Sequence, residues 1–447
     1  MLTLGLDIGT SSVKAAVLDA QGNCLASATY PESEAPMLSV QPGWAEQNPE
    51  DWWQYATTAI KKLHATNSYD PTQIKAIGIA YQMHGLVIVD KQQQVLRPSI
   101  IWCDSRATDK EQYPMGNFTA GKLAWVKKNE PWVYERIDKF MLPGDFIAMK
   151  MTGRITTTRS ALSEGNFIDL ATGAISYYDF DPKLFPDVQE VFSDHGKVKP
   201  EVATQLGLPQ GIVVAYKAGD QLNNAFALNV MEEGEVAATA GTSGVLYAIT
   251  NKPQSDSFIH VNEKIAQLLC INGCGIMNAW IKRQTNAASY VEMNQQAAVV
   301  DTEGLYVLPF GNGAERMFDN QLLQAHIIGI DLNKHSNAHL YRAVQEGIAF
   351  AFRYGMEVYG MNPAVIRAAY TNLFLSEVFQ QIFVNTVNTP VELHNADGAV
   401  GAALGAAKGI GANVPRKESI QIIKPTSTTS YERNYQGWKD CLRRTLK

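Results

Sequence analysis

Cysteine is scarce and scattered in this chain. The five residues, Cys24, Cys103, Cys270, Cys274 and Cys441, are odd in number and form no CxxC pair. That pattern argues against a disulfide scaffold or a cysteine zinc site and fits a reducing compartment. Long apolar runs are also missing: none approaches the roughly 20 residues that span a bilayer. Met1 leads directly into a short apolar run ending in Asp7, with no basic flank and no small-residue cleavage site. No signal peptide is therefore expected, and a cytoplasmic location is the default. Basic residues are not in excess, since 38 Lys and Arg face 44 Asp and Glu for a formal charge of −6. Domains that grip nucleic-acid phosphates usually carry the opposite balance, so no nucleic-acid partner is expected. The GxxxxGK[ST] phosphate loop is absent as well.

Length is what the chain has in abundance. Its 447 residues exceed the roughly 250 to 300 at which a single hydrophobic core stops growing. Two domains are expected, at 1–230 and 231–447, and the cleft between two such domains is the first place to look for chemistry.

The chain opens with three strand-like runs, Leu2 to Asp7, Val13 to Leu18 and Cys24 to Tyr30, with turns at Gly9 to Ser12 and at Gln21 and Gly22. Asp51 then stands as the cap of a helical segment with apolar residues at Trp52, Tyr55, Ala56, Ile60 and Leu63. Ile74 to Ala80 reads as a buried strand, and Gly85 to Val89 with Val95 to Ile101 as a strand pair. Further on, Val236 to Ala240, the turn Gly241 to Gly244 and Val245 to Ile249 repeat the opening strand–turn–strand pattern, which suggests a duplicated unit. Ala338 to Tyr359 and Gly398 to Ala407 have helical patterns, and the polar stretch from Pro415 onward reads as a peripheral tail.

DIGTSSVK, Asp7 to Lys14, puts a carboxylate at a strand end beside a turn of small residues. Gly9 lets the backbone approach a phosphate, and the amides and hydroxyls of Thr10, Ser11 and Ser12 can hold one. Lys14 is a further candidate contact. Asp7 suits a magnesium ion bound largely through water. A β-hairpin with a helpful glycine remains the plain alternative. AGTSG, Ala240 to Gly244, repeats the device, and two such turns facing one another across a cleft would grip a polyphosphate from both sides.

Asp220 in AGDQ follows an apolar strand, where a carboxylate can take a proton from an attacking hydroxyl; capping of a helix over Leu222 to Leu228 is the competing explanation. QMHG, Gln82 to Gly85, offers an amide and an imidazole to polyol hydroxyls. Trp102, Asp104 and Arg106 fit either a sugar-side loop or a salt-bridged one, and Trp44, Trp52 and Trp53 read as core.

Together these segments resemble the FGGY carbohydrate kinases, within the sugar kinase, hsp70 and actin superfamily, and the likeness covers nearly the whole chain. The opening motif, the GDQ-like site, the GTSG turn and a late DGAVGAALGA-like helix occur in the family's order. PGWAEQNPEDWW, QMHGLVIVD, LRPSIIWCDSRA and LPGDFIAMKMTG narrow the likeness to the xylulose kinase branch. The resemblance implies an α/β fold of two ribonuclease H-like domains, sugar binding by the first and ATP binding by the second. It implies phosphorylation of a ketopentose, D-xylulose first, with ATP and Mg2+.

It further implies Asp220 as the catalytic base and Asp7 beside the metal and phosphates, so that Asp7 and Asp220 are the candidate metal residues. Gln82, Met83, His84 and Gln221 then line the sugar, joined by Trp102, Asp104 and Arg106. Gly241, Thr242, Ser243, Gly311, Asn312, Asn372 and Ser376 border the nucleotide, and Asp397 to Gly405 lies near its adenosine end. L-Ribulose, fuculose, rhamnulose, glycerol and gluconate stay open as substrates, as does a non-catalytic sugar-binding relative. Members of the family are often homodimers, but the sequence does not disclose the oligomeric state.

Two departures stand out. Tyr370 occupies a segment, Arg367 to Asn372, where the family usually has a glycine-rich adenine loop. The stretches 107–117, 262–267 and 283–303 are shorter than their family counterparts.

Overall fold

The computed structural model describes residues 1–107, 117–254, 257–318 and 321–446. Of the shortened stretch 107–117, all but the end residues lie outside that set. The chain forms two compact units, one built from Met1–Asn229, Ser257–Ile265 and Ala396–Arg416, the other from Val230–Asp256, Ala266–Asn395 and Lys417–Lys447. A single cut after residue 230 therefore does not describe it, because two later segments return to the first unit.

In the first unit the sheet runs in the order Val213–Gly219, Ile74–Tyr81, Leu2–Ile8, Val13–Leu18, Cys24–Tyr30. The first three strands are mutually parallel, and the last two continue as an antiparallel meander. Leu4, Leu6, Ile8, Ile77 and Ile79 are wholly buried, as expected for parallel strands covered on both faces. The helix Pro49–His64 lays Trp52, Ala56, Ile60 and Leu63 into this core. Its cap is Asn48, whose side chain accepts from the Glu50 amide at 3.2 Å. The expected cap, Asp51, sits in the first turn instead, where a carboxylate still favours the helix dipole.

The glycine-alanine helix, Gly398–Gly409, covers this same sheet. A Cβ on Gly5 would come within 1.8 Å of the Ala399 carbonyl oxygen, and one on Gly78 within 2.0 Å of that of Ala402. Helix backbone rests on strand backbone here, which only glycine in the strands and small residues in the helix permit. The helix thus belongs to the first unit, not to the 231–447 domain in which it was expected. The expected pairing of Gly85–Val89 with Val95–Ile101 is also revised. Val87–Val89 pairs with Lys139–Met141 and Ser99–Ile100 with Glu46–Gln47, leaving isolated bridges such as Val89 to Val95.

The second unit repeats the plan. Its strands follow the order Ile265–Ile271, Gly244–Thr250, Val236–Ala240, Ile366–Ala369, Val391–His394, Gln421–Ile423. An antiparallel hairpin is again flanked by two parallel additions. The long helix Asn337–Tyr359 buries Val344, Ile348, Ala351 and Phe352 among others. Beyond Pro415 the chain is no peripheral tail: Gln421–Ile423 extends the sheet, and helix Thr429–Thr445 buries Tyr431, Tyr435, Trp438 and Leu442. The Trp438 indole donates to the Val307 carbonyl at 2.7 Å. No helix among the described residues is long and apolar enough to cross a membrane.

Candidate active site

Register places the two carboxylates of the first unit. Asp7 is aligned with Ala80 on the neighbouring strand, and Ala80 with Ala218 on the next, so Asp220 lies just past the end of a strand that runs parallel to Asp7's. Their strands flank Ile74–Tyr81, two spacings of about 4.8 Å apart, so both carboxylates stand at the carboxyl ends of the parallel strands, where α/β folds gather their ligands. Burial, and then the charge of Asp7, push the Asp220 carboxyl up to about 7. Asp7 is pushed up to about 6, first by burial and then by Asp397, with Lys14 opposing.

Asp220 does not cap its helix. The helix spans Asp220–Ala227 with Gly219 at the cap and no side-chain cap bond, and Asp220 Oδ1 accepts from the Gln221 amide at 2.8 Å. Gly219 is required by what lies over it: a Cβ there would meet Glu164 Oε2 at 2.3 Å and Met83 Cγ at 2.7 Å. Glu164 is a neighbour that sequence reasoning missed. It is fully buried, with the equally buried Tyr81 hydroxyl beside its carboxyl. Burial, and then the charge of Asp220, raise its proton affinity far above the usual carboxylate range. Locally it reads only as the end of a short helix, Arg159–Glu164.

The Gly9–Ser12 turn is tied to the Gln82 region. Thr10 Oγ1 donates to Gln82 Oε1 at 3.1 Å and accepts from the Trp102 indole at 3.0 Å. Gln47 donates to the Thr10 carbonyl at 2.8 Å and accepts from Gln82 at 3.1 Å. Thr10, Gln82 and Trp102 are therefore brought together, with Gln47 as a linker the sequence did not flag. Gly9 closes its own turn on the Ser12 carbonyl at 3.0 Å, and the Ser11 carbonyl accepts from Ala35 at 2.7 Å. Lys14 pairs with Asp397 at 3.2 Å, so its ammonium serves the Asp7 and Asp397 cluster here. Gly398 makes that cluster possible, since a Cβ on it would stand 2.2 Å from Asp7 Oδ2.

Asp104 and Arg106 are withdrawn from open space. Their side chains pair at 2.7 Å, Arg106 also reaches Glu46 at 2.6 Å, and its guanidinium lies 3.7 Å from the Trp44 ring centroid. The salt-bridged loop describes them better than a sugar contact. Trp102, by contrast, remains 43% exposed. His84 is buried in a left-handed backbone conformation with φ of 62°, and its Nδ1 lies 2.7 Å from the Glu164 carbonyl.

In the second unit the Gly241–Ser243 turn is held by the start of helix Cys274–Gln284. The Gly275 and Ile276 amides donate to the Gly241 and Thr242 carbonyls at 2.8 and 3.2 Å. Asn272, two residues before that helix, is gripped at both backbone groups: its amide donates to Glu315 Oε1 at 3.0 Å, and its carbonyl accepts from Asn312 Nδ2 at 2.9 Å. Burial pushes the Glu315 carboxyl up to about 7. Asn372, in a left-handed conformation with φ of 55°, places its amide beside Gly241. Gly311 packs against Ala325. Ser376 is buried and caps the helix Glu377–Val387 by accepting from Phe379 at 3.2 Å, which is a structural task. Tyr370 is 40% exposed, and its amide donates to the His394 carbonyl at 2.8 Å.

Among the described residues no cluster of three or more His, Cys, Asp or Glu could hold a metal by itself. Asp7 and Asp220, with only two carboxyl groups, fit instead a hard divalent cation that keeps most of its water and takes phosphate oxygens.

The chain is 30% identical over 455 residues to a xylulose kinase of Escherichia coli, covering 94% of this chain and 92% of that one. A crystal structure of a xyloylose kinase from Brucella ovis aligns at a TM-score of 0.90, with 25% identity and 99% of each chain covered. A glycerol kinase of Plasmodium falciparum, at 19% identity, shares the fold at a TM-score of 0.89 over 100% of this chain and 98% of that one. Residues 2–113 and 108–227 match the model of the N-terminal domain of the FGGY family of carbohydrate kinases, and residues 236–410 match that of its C-terminal domain. The chain belongs to the FGGY family of carbohydrate kinases.

Proposed function

We propose that this sugar kinase transfers the γ-phosphoryl group of ATP to a ketopentose, D-xylulose, giving D-xylulose 5-phosphate. The observation that carries the reading is Asp220: a largely buried carboxyl at a strand end whose proton affinity lies near neutrality, the value that suits a general base at physiological pH. Its carboxylate accepts the proton of the terminal hydroxyl as that oxygen attacks phosphorus. Met83 and His84, with Gln82, Gln221 and the exposed Trp102, orient the sugar. The turn Gly241, Thr242, Ser243, with Asn372 beside it, holds phosphate oxygens through amides and hydroxyls. Asp7 and Asp220 would hold Mg2+, which when bound neutralises charge developing on the transferred group.

The name of the Escherichia coli relative supports the pentose assignment. The glycerol kinase that shares the fold shows that architecture alone does not select the acceptor. A coupled ADP-release assay over D-xylulose, L-ribulose, fuculose, rhamnulose, glycerol and gluconate tests the choice. D-Xylulose is expected to give the highest kcat/KM by at least about tenfold, a difference of one or two pocket contacts. A higher value for any other acceptor would replace the assignment, and ADP release with none of them would remove it.

Glu315 carries a prediction for the nucleotide side. Replacing it with Ala strips the Asn272 amide of its acceptor, and Asn272 leads into the residues that hold the Gly241 turn. Glu315→Ala is expected to raise the KM for ATP by about tenfold, in line with an unpaired buried donor, while the KM for sugar changes little. Steady-state kinetics with each substrate varied in turn would check it.

A further inference from the structure

Lys122 is the least expected side chain in the first unit. It lies on the helix Thr119–Asn129, is wholly buried, and has its proton affinity pushed down to about 7 by that burial, with Asp104 opposing. Burying an ammonium costs several kcal/mol unless something specific compensates it. The compensating contact is short: Nζ donates to the His84 carbonyl oxygen at 2.6 Å.

His84 is where such a bond matters. Its φ of 62° is a left-handed backbone state that is unfavourable for a non-glycine residue. Three further contacts depend on that state. The imidazole stacks on Phe118, the residue preceding the Lys122 helix, with ring centroids 4.2 Å apart and planes at 19°. Its Nδ1 lies 2.7 Å from the Glu164 carbonyl oxygen. One turn earlier on the same helix, Thr119 Oγ1 reaches the next carbonyl, that of Gly85, at 3.4 Å. The Ala120 amide anchors the helix to the Gly165 carbonyl at 2.9 Å. A carbonyl oxygen can only accept, so the Glu164 contact requires the proton on Nδ1.

We propose that Lys122 is a positioning residue for substrate recognition: its Nζ–H donor locks the His84 backbone in the left-handed state, and so fixes both the direction and the tautomer in which the imidazole is presented to the sugar. The inference rests on the assignment of His84 to the sugar side. A relaxed His84 would swing its ring off Phe118 and release Nδ1 from Glu164, and the sugar would lose a side chain held in one direction.

The test is Lys122→Met, which keeps length and apolar volume but removes the donor. Lys122→Leu, which likewise removes the donor, serves the same comparison if the first variant is insoluble. In protein labelled with 15N-histidine, His84, assigned by its loss in His84→Ala, is expected to show the Nδ1–H tautomer in the wild type and an averaged pair of nitrogen shifts in Lys122→Met. The KM for sugar is expected to rise about tenfold, with kcat and the KM for ATP changed less than about threefold. In the His84→Ala background, Lys122→Met should add nothing further to the KM for sugar, since both act through one group.

An unchanged His84 spectrum in Lys122→Met would overturn the proposal, as would an effect on the KM for sugar that adds in full to that of His84→Ala. If His84→Ala alone leaves the KM for sugar unaltered, the sugar-side assignment of His84 fails and the recognition role falls with it, and the nitrogen shifts still decide whether Lys122 sets the tautomer.

Discussion

Asp220→Asn is expected to lower sugar-dependent ADP release by at least about a thousandfold, the scale of losing a general base together with a charge that helps hold the metal, while the protein remains folded. Asn preserves the shape and can still accept from the Gln221 amide, which Asp220 does at 2.8 Å. What it removes is the ability to take a proton.

The same substitution has a second expected effect, opposite in sign, on stability. The Asp220 carboxyl titrates at about 7 in the folded protein against 3.8 as a free side chain, so folding raises its proton affinity. A carboxyl shifted upward favours the fold at low pH. Its ionisation then costs stability progressively as pH rises from about 4 through 7, because the folded state releases the proton less readily than the unfolded one. Asn never ionises and escapes that cost. Without ligands, Asp220→Asn should therefore match the wild type near pH 4 and exceed it at pH 8 by about 2 kcal/mol, discounted from the full shift for the solvent that still reaches the group. Thermal unfolding of both proteins between pH 4 and pH 8 measures this, and activity above about one per cent of wild type would remove Asp220 from the base role.

The second large effect concerns the sheet beneath the glycine-alanine helix. Gly78→Ala would place its methyl group about 2.0 Å from the Ala402 carbonyl oxygen. No side chain can rotate away there, because the obstacle is helix backbone, so the whole of Gly398–Gly409 must lift from the sheet. That helix also carries Gly398, which leaves room for the Asp7 carboxylate, and Asp397, which pairs with Lys14. Over-packing usually costs about 1 to 3 kcal/mol; a rigid backbone contact places this case at or above the upper end. Gly78→Ala is expected to lower Tm by several degrees and to reduce soluble yield, with activity falling alongside because Asp7 loses its surroundings. Gly211→Ala is the matched comparison. Gly211 has nothing within 4 Å of a Cβ but a φ of +74°, so only the smaller strain of a left-handed alanine should appear. A Tm for Gly78→Ala equal to wild type would mean that the helix does not depend on this contact.

The two strand–turn–strand hairpins, the long helix Asn337–Tyr359 and the acid at the end of the Val213–Gly219 strand were all legible locally, because each combines an apolar run with the turn chemistry that ends it. Glycines were legible as small residues but not as contacts. Gly5 and Gly78 read as strand interiors, and only the folded chain shows a helix from some 320 to 400 residues later resting on them. The C-terminal helix was readable in principle, since Tyr431, Tyr435, Trp438 and Leu442 recur at helical spacing. Charged residues between them lower the mean hydropathy enough to suggest an exposed tail.

Residue chemistry along the chain determined the class of protein and the turns and acids on which a phosphoryl transfer can be built. Tertiary structure decided which of those groups work together and in what state. Asp104 and Arg106 became a buried pair, Ser376 a helix cap, and Lys14 the partner of Asp397. Glu164 and Lys122, unremarkable in their own segments, were brought to Gly219 and to His84. A side chain's proton affinity and direction depend on desolvation and on partners tens to hundreds of residues away, and neither is written in local sequence.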